Sequence, residues 1–77
     1  MSATVVTMLD CRGMARPLSV VKTAQAIKGL RSEDLFEVLA TDPRSEQDFA
    51  VWCRATGNHL IAWSRDDGVR RFLIRKR

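Results

Sequence analysis

Apolar and polar positions change their spacing along the first half of the chain, and each change predicts a different element. Residues 4–9 are short and β-branched, which favours a strand. A loop over residues 10–16 follows, and Pro17 then suits the first position of a helix, where its missing N–H is no loss. Apolar side chains next recur at three- and four-residue steps and predict one packed face on that helix: Val20, Val21, Ala24, Ile27 and Leu30.

A second strand and a second helix follow the same logic. Residues 34–40 alternate as a strand does, and Phe36, Val38 and Ala40 share one face. Ser45 and Asp48 resemble a capping box and predict the start of the second helix. Gly57 suits the residue that ends it. One side of this helix is predicted to be lined by Phe49, Trp52, Cys53 and Thr56.

The last third of the chain reads as a hairpin. Residues 59–65 and 69–76 flank Asp66-Asp67-Gly68, a strong turn signal between two apolar runs. The order β-α-β-α-β-β predicts a two-layer α/β (α+β) sandwich, with two helices on one face of a four-stranded mixed sheet and a right-handed first crossover. At 77 residues, the chain 1–77 is expected to form a single domain.

Composition narrows the function classes. No apolar run exceeds five residues, and the N-terminus lacks a secretory pattern, so we expect a cytoplasmic protein without membrane insertion. Cys11 and Cys53 lie 42 positions apart, in no metal-type spacing, and His59 stands alone. The sequence therefore predicts neither a metal site nor a cofactor, and it offers no catalytic set for hydrolysis or acid–base chemistry.

The net charge of +4 is unevenly distributed, because Arg70, Arg71, Arg75, Lys76 and Arg77 crowd the last eight residues without an acid. Such a cluster is typical either of a nucleic-acid surface or of an edge strand with a basic tail. We favour the edge strand. Bases stack on exposed aromatic rings in single-strand binders, and only Trp63 is expected to be free for that.

The segment before the first helix carries a recognisable motif. Leu9, Asp10, Arg12, Gly13 and Pro17 match the pattern L-D-x-R-G-L-x-C-P-x-P, with Met14 at the second leucine. Three further stretches agree in order and spacing: "EVLATDP", "WCRATGN" and "DGVRRFLIRK". On these residues the chain resembles the TusA, or SirA-like, family of small sulfur carriers, and the resemblance implies the same two-layer sandwich. It also makes Asp10, Gly13 and Pro17 the scaffold of the motif.

The resemblance breaks at the position that carries the family's chemistry. The family cysteine, which takes up sulfane sulfur as a persulfide, aligns with Arg16, and the second motif proline aligns with Ser19. A cysteine at a helix N-terminus gains a lowered pKa from the dipole, but a guanidinium stays protonated and is no nucleophile. The usual persulfide relay through this position is therefore excluded, and the sequence assigns no enzymatic activity.

Several hypotheses remain open. We favour a divergent family member that acts through contacts with sulfur donor or acceptor proteins. The runner-up is a sulfur carrier that uses Cys11 as its thiol, helped by the neighbouring Arg12. A third hypothesis is an anion site at the helix start, formed by Arg12, Arg16 and Ser19. Nucleic-acid binding through the basic C-terminal strand is the last alternative.

Overall fold

The computed structural model describes residues 4–77 and has the predicted order of elements. A short 3₁₀ turn, Ile27–Gly29, is added after the first helix. The elements are β1 (Val5–Cys11), α1 (Leu18–Ala26), β2 (Leu35–Ala40), α2 (Ser45–Thr56), β3 (His59–Asp66) and β4 (Val69–Arg75).

The sheet is mixed, with the strand order β1-β2-β4-β3. β1 and β2 pair in parallel, whereas β4 pairs antiparallel with both β2 and β3. Both helices therefore begin at the carboxyl end of β1 and β2, which we call the motif end, and both finish at the opposite edge, the far end. β4 is an inner strand, so the prediction of a basic edge strand is wrong. Its arginines lie beside acids of neighbouring segments: Arg70 beside Glu46, Arg71 beside Glu37 and Arg75 beside Glu33.

The core lies between the sheet and the two helices. Phe36, Val38 and Ala40 are buried on one face of β2, as their alternation predicts. Phe49 of α2 stacks on Phe72 of β4, with ring centroids 4.9 Å apart. Because one cluster of buried side chains joins both helices to the same face, the predicted two-layer sandwich is confirmed.

α1 packs through a different face from the predicted one. The buried residues of this segment are Ser19, Thr23 and Ile27, one row at four-residue spacing, whereas Val21 is exposed. The Thr23 hydroxyl donates to the Ser19 carbonyl at 2.8 Å, so burial of this threonine leaves its hydroxyl satisfied. The prediction that Val21 belongs to the packed face is wrong. Short polar side chains occupy the contact that the aliphatic pattern had assigned to it.

The start of α2 also differs from its prediction. Ser45 is already helical, and its hydroxyl donates back to the carbonyl of Asp42 at 2.7 Å. No side chain caps the helix, so the predicted capping box is wrong, and Asp48 is released for another partner. Gly57 does end α2, as predicted, in the left-handed conformation with φ 80°.

Candidate functional site

The motif loop between β1 and α1 is held against the loop that follows β2. Gly13 has φ 78°, a conformation that side-chain-bearing residues rarely adopt, and its N–H donates to the Thr41 hydroxyl at 2.9 Å. The N–H of Met14 donates to the Cys11 carbonyl at 3.2 Å. Gly13 therefore fixes the loop against the segment after β2, and the loop brings Arg16 and Pro17 to the start of α1.

Arg16, which the sequence motif is expected to align with the family's cysteine, forms an ion pair with α2. Its Nε lies 3.0 Å from Oδ2 of Asp48, and the two side chains are 45% and 12% exposed. The pair joins the motif loop to the first turn of α2. Asp48 has this partner because Ser45 does not form the capping box with it. The guanidinium is thus locally neutralised by a carboxylate from a residue 32 positions further along the chain.

Arg12 is occupied by its own neighbour. Its Nε and Nη2 donate to the two carboxylate oxygens of Asp10, each at 2.8 Å. The hydrogen bonds from Arg12 lower the pKa of Asp10 from 3.8 to about 2. Asp10 and Arg12 are both exposed, and Cys11 lies between them in sequence but points into the core. Arg12 is therefore directed to the Asp10 carboxylate rather than to a Cys11 thiolate.

Both thiols are buried. Cys11 is fully enclosed, and its Sγ lies 3.9 Å from the carbonyl of Ser19, beneath α1. Loss of solvation raises the pKa of Cys11, and burial raises the pKa of Cys53 to about 11. A raised pKa disfavours the thiolate that reacts with sulfane sulfur. Within residues 4–77 no group of three or more His, Cys, Asp or Glu side chains is arranged to hold a metal ion.

The three candidate anion ligands are not gathered into a free site. Arg12 and Arg16 are paired with carboxylates, and Ser19 is buried in the contact between α1 and the sheet. Backbone donors at the start of α1 are also engaged: Leu18 N–H donates to the Ala15 carbonyl, and Val20 N–H and Val21 N–H donate to that of Pro17. An anion would have to displace the protein's own contacts, so the anion site stays a prediction that this geometry does not favour.

An apolar groove, which we call the α1 groove, lies directly after Arg16. Its volume is about 490 Å³. Leu18 and Val21 line it and are 51% and 46% exposed, although each is a large aliphatic residue. The remaining lining residues are Met14, Lys22, Gln25 and Ala26. Sequence reasoning missed this surface because it placed Val21 in the core; the signal was the i, i+3 spacing of Leu18 and Val21 beside the motif.

The two-layer sandwich and the motif loop are those expected of a small sulfur-carrier domain. The model of the family described as "Sulfurtransferase TusA" matches residues 7–76. The chain belongs to the TusA family, as the motif residues and their spacing had indicated. Family membership implies that it works with other proteins. No helix within residues 4–77 is long and apolar enough to cross a membrane.

Relatives cover the chain almost completely. The sulfur carrier protein TusA of Allochromatium vinosum is 34% identical over 68 residues, which make up 88% of this chain and 90% of that protein. The Bacillus subtilis (strain 168) protein YrkF is 34% identical over 76 residues, but this chain spans only 40% of its length. The crystal structure of a SirA-like protein from Desulfitobacterium hafniense matches 91% of this chain and 96% of its own, with a TM-score of 0.80 at 21% identity, which supports the fold.

Proposed function

We propose that this TusA-family protein docks onto donor or acceptor proteins of a sulfur relay without itself carrying sulfur at the motif position. The observation that carries the proposal is the ion pair of Arg16 with Asp48. Arg16 has no nucleophilic sulfur, and its charge is used to join two elements of the fold. In this proposal the α1 groove remains available to a partner protein, whereas position 16 offers no thiol to which sulfane sulfur could bind. A cytoplasmic location is part of the same proposal.

The α1 groove is the docking surface in this proposal. Leu18 and Val21 are exposed beside Arg16, so a partner would bury apolar area that the fold leaves in water. Residues 11–32 contain five cations and no acid. Arg12 and Arg16 are paired internally, whereas Lys22 lines the groove outside any ion pair described for residues 4–77. The surface therefore favours a partner that presents an apolar side chain flanked by carboxylates.

Transfer through Cys11 stays a prediction with a defined structural requirement. Its Sγ lies under α1, so α1 must move away from β1 before a sulfane-sulfur donor can reach it. The raised pKa adds a second cost, because less thiolate is present near neutral pH. These two features make protein docking the better-supported function.

Intact-mass measurement separates docking from transfer. The wild-type protein, Cys11→Ser and Arg16→Cys are incubated with polysulfide and measured before and after reductant. We expect a reductant-sensitive gain of one sulfur atom in Arg16→Cys and no gain in the native wild type. A gain in the wild type that disappears in Cys11→Ser would overturn the proposal in favour of the Cys11 carrier.

A photo-crosslinking residue tests the docking surface directly. It is placed at Val21 in the α1 groove and, as a matched control, at Arg54, an exposed helical position on α2. We expect Val21, but not Arg54, to form an adduct with a protein whose cysteine becomes persulfidated, and we expect Leu18→Ser to reduce that adduct. Equal adducts from both positions, or an adduct that survives Leu18→Ser, would contradict docking through the groove.

A further inference from the structure

A second cavity lies at the far end, separated from the motif position by the length of α1, about 13 Å for its nine residues. It opens between the C-terminal ends of both helices and the segment after β4, and its volume is about 300 Å³. Ala24, Ile27 and Trp52 give it an apolar wall, and Thr56 and Asn58 give it a polar one. The remaining lining residues are three cations: Lys28, Lys76 and Arg77.

A chain of hydrogen bonds holds the polar wall in place. The Thr56 hydroxyl donates to the Trp52 carbonyl at 2.7 Å, and the Asn58 amide donates to the Thr56 hydroxyl at 2.9 Å. The Asn58 side-chain carbonyl in turn accepts from the N–H of Arg77 at 2.9 Å. The Arg77 side chain also lies across Gly57, so close that a Cβ at Gly57 would come within 2.7 Å of the Arg77 Cδ. The cavity is therefore formed before any ligand arrives.

The indole on the apolar wall is also positioned by the core. Trp52 packs edge-on against Phe49, with ring centroids 6.0 Å apart and an interplanar angle of 86°. Phe49 is fully buried, so it anchors the tryptophan that borders the cavity. The site thus presents a rigid aromatic surface on one side and mobile cationic side chains on the other.

Charge at this cavity is one-sided. No acidic side chain lines it, and none of its three cations belongs to an ion pair described for residues 4–77. Cations near helix C-termini are favoured by the macrodipole, which accounts for the presence of Lys28 after α1. The dipole does not require three cations to converge on one concave apolar surface.

We propose that the far-end cavity binds a nucleotide-sized organic phosphate. A planar or apolar body would contact Trp52 and Ile27, and the phosphate would bind between Lys28, Lys76 and Arg77. A volume of about 300 Å³ is at the lower end of the usual range for small-ligand sites, which fits a ligand of this size. The site includes neither Arg16 nor any residue of the α1 groove, so its test is independent of the docking proposal.

Tryptophan fluorescence tests the proposal, because Trp52 borders the cavity and Trp63 lies on the edge strand β3. In a Trp63→Phe background, the protein is titrated with adenosine monophosphate, with adenosine and with inorganic phosphate. We expect adenosine monophosphate to produce a saturable change in tryptophan fluorescence, and adenosine or inorganic phosphate alone to produce a smaller one. A fluorescence change that never saturates, or no change up to about 10 mM, the weak end of ordinary affinities, would overturn the proposal.

Matched charge variants locate the binding. Lys28→Gln with Lys76→Gln removes two positive charges from the cavity, and Arg44→Gln with Arg65→Gln removes two charges elsewhere. We expect at least about tenfold weaker binding in the first pair and less than about twofold in the second, since only the first loses charge-assisted contacts. Equal weakening of binding in the two pairs would indicate general electrostatic attraction and would overturn the site. Tight binding of an oligonucleotide, with no effect of the monophosphate, would also overturn it.

Discussion

Arginines at the motif end are paired with carboxylates, as Arg75 and Glu33 also are at the far end, whereas the three cations of the far-end cavity are not paired within residues 4–77. Four arginine–carboxylate pairs lie at the motif end: Arg12–Asp10, Arg16–Asp48, Arg44–Asp42 and Arg70–Glu46. At the far end, the three cations of the second cavity have no such partner within residues 4–77. The two ends therefore differ in how much positive potential remains available to another molecule.

The difference follows from how the helices are oriented. Both helix N-termini lie at the motif end, where the dipole favours acids, and the first turn of α2 carries Glu46 and Asp48. These carboxylates complement the dipole and neutralise arginines at the same time. A thiolate at the motif position would be stabilised by a positive electrostatic potential, and these two carboxylates reduce that potential. The end that carries the family motif is thus the less suitable end for binding an anion.

Each end of the molecule buries one cysteine, and the largest effect that we expect is the slow reaction of these two thiols. Cys11 at the motif end and Cys53 in the last turns of α2 should react with a chromogenic disulfide reagent at least about 1000-fold more slowly in the native protein than in urea, because reaction requires opening of the core. Arg16→Cys, at an exposed position, is the control and should add one fast-reacting thiol. A fast thiol in the native wild type would show that α1 opens readily.

Removing an acid from the motif end should destabilise the fold in proportion to the burial of its arginine. Arg70 is 9% exposed, and its Nε lies 2.6 Å from Oε1 of Glu46. Glu46→Ala leaves this buried guanidinium without a carboxylate, with only the Gly68 carbonyl at 3.5 Å as an acceptor within residues 4–77, and we expect a loss of about 2 kcal/mol in the free energy of unfolding. Urea unfolding followed by fluorescence measures it.

The control for Glu46 is Glu37, a glutamate that pairs with an exposed arginine of β4. Glu37 bonds Arg71 at 3.0 Å, but Arg71 is 53% exposed. Glu37→Ala should therefore cost less than about 1 kcal/mol. Equal losses in Glu46→Ala and Glu37→Ala would contradict the distinction between a buried and an exposed pair.

The pair at the motif position should make a smaller contribution. Asp48→Asn removes both the ion pair and an acid from the first turn of α2, and we expect a loss of about 1 kcal/mol. Arg16→Gln removes only the ion pair and should cost about half as much, since exposed pairs contribute little. Urea unfolding of both variants measures the two losses. A larger loss for Arg16→Gln would mean that the fold depends on the arginine itself.

The smallest expected effect concerns pH. The pKa of Asp10 is about 2 in the folded protein, below the ordinary 3.8, because Arg12 donates hydrogen bonds to the carboxylate. A lowered folded pKa means that the stabilisation is present above about pH 4 and is lost as pH falls from about 4 to about 2. NMR titration of the Asp10 carboxyl should give a midpoint near 2, and Arg12→Ala should raise it. A midpoint unchanged by Arg12→Ala would exclude Arg12 as the cause.

Local patterns predicted the elements, the topology class and the family, because strand alternation, helix periodicity and the motif spacing are properties of neighbouring residues. Predictions that depended on how elements meet were less successful. The sequence could not reveal that β4 lies inside the sheet, since strand order depends on pairing across the chain. Nor could it reveal which row of α1 faces β1, where Ser19 and Thr23 replace the expected Val21.

The same distinction between local patterns and contacts distant in sequence applies to the candidate site. The sequence alone showed that Arg16 cannot act as a sulfur nucleophile, because a guanidinium contains no sulfur. The partner of Arg16 was not evident, since Asp48 had been assigned to the helix cap. The far-end cavity was also hidden, because it is assembled from Lys28, Trp52 and the segment after β4, which are distant in sequence.

The Arg16–Asp48 pair also limits what a cysteine introduced at position 16 could do. A single change of Arg16 to cysteine would leave the largely buried Asp48 carboxylate without its partner and beside the new thiol. A neighbouring negative charge raises the pKa of a thiol, so a cysteine at position 16 would react with sulfane sulfur more slowly beside Asp48 than after Asp48 had also changed. Full reactivity of a cysteine at position 16 therefore requires a second change at Asp48, and the first change alone removes the ion pair that joins the motif loop to α2.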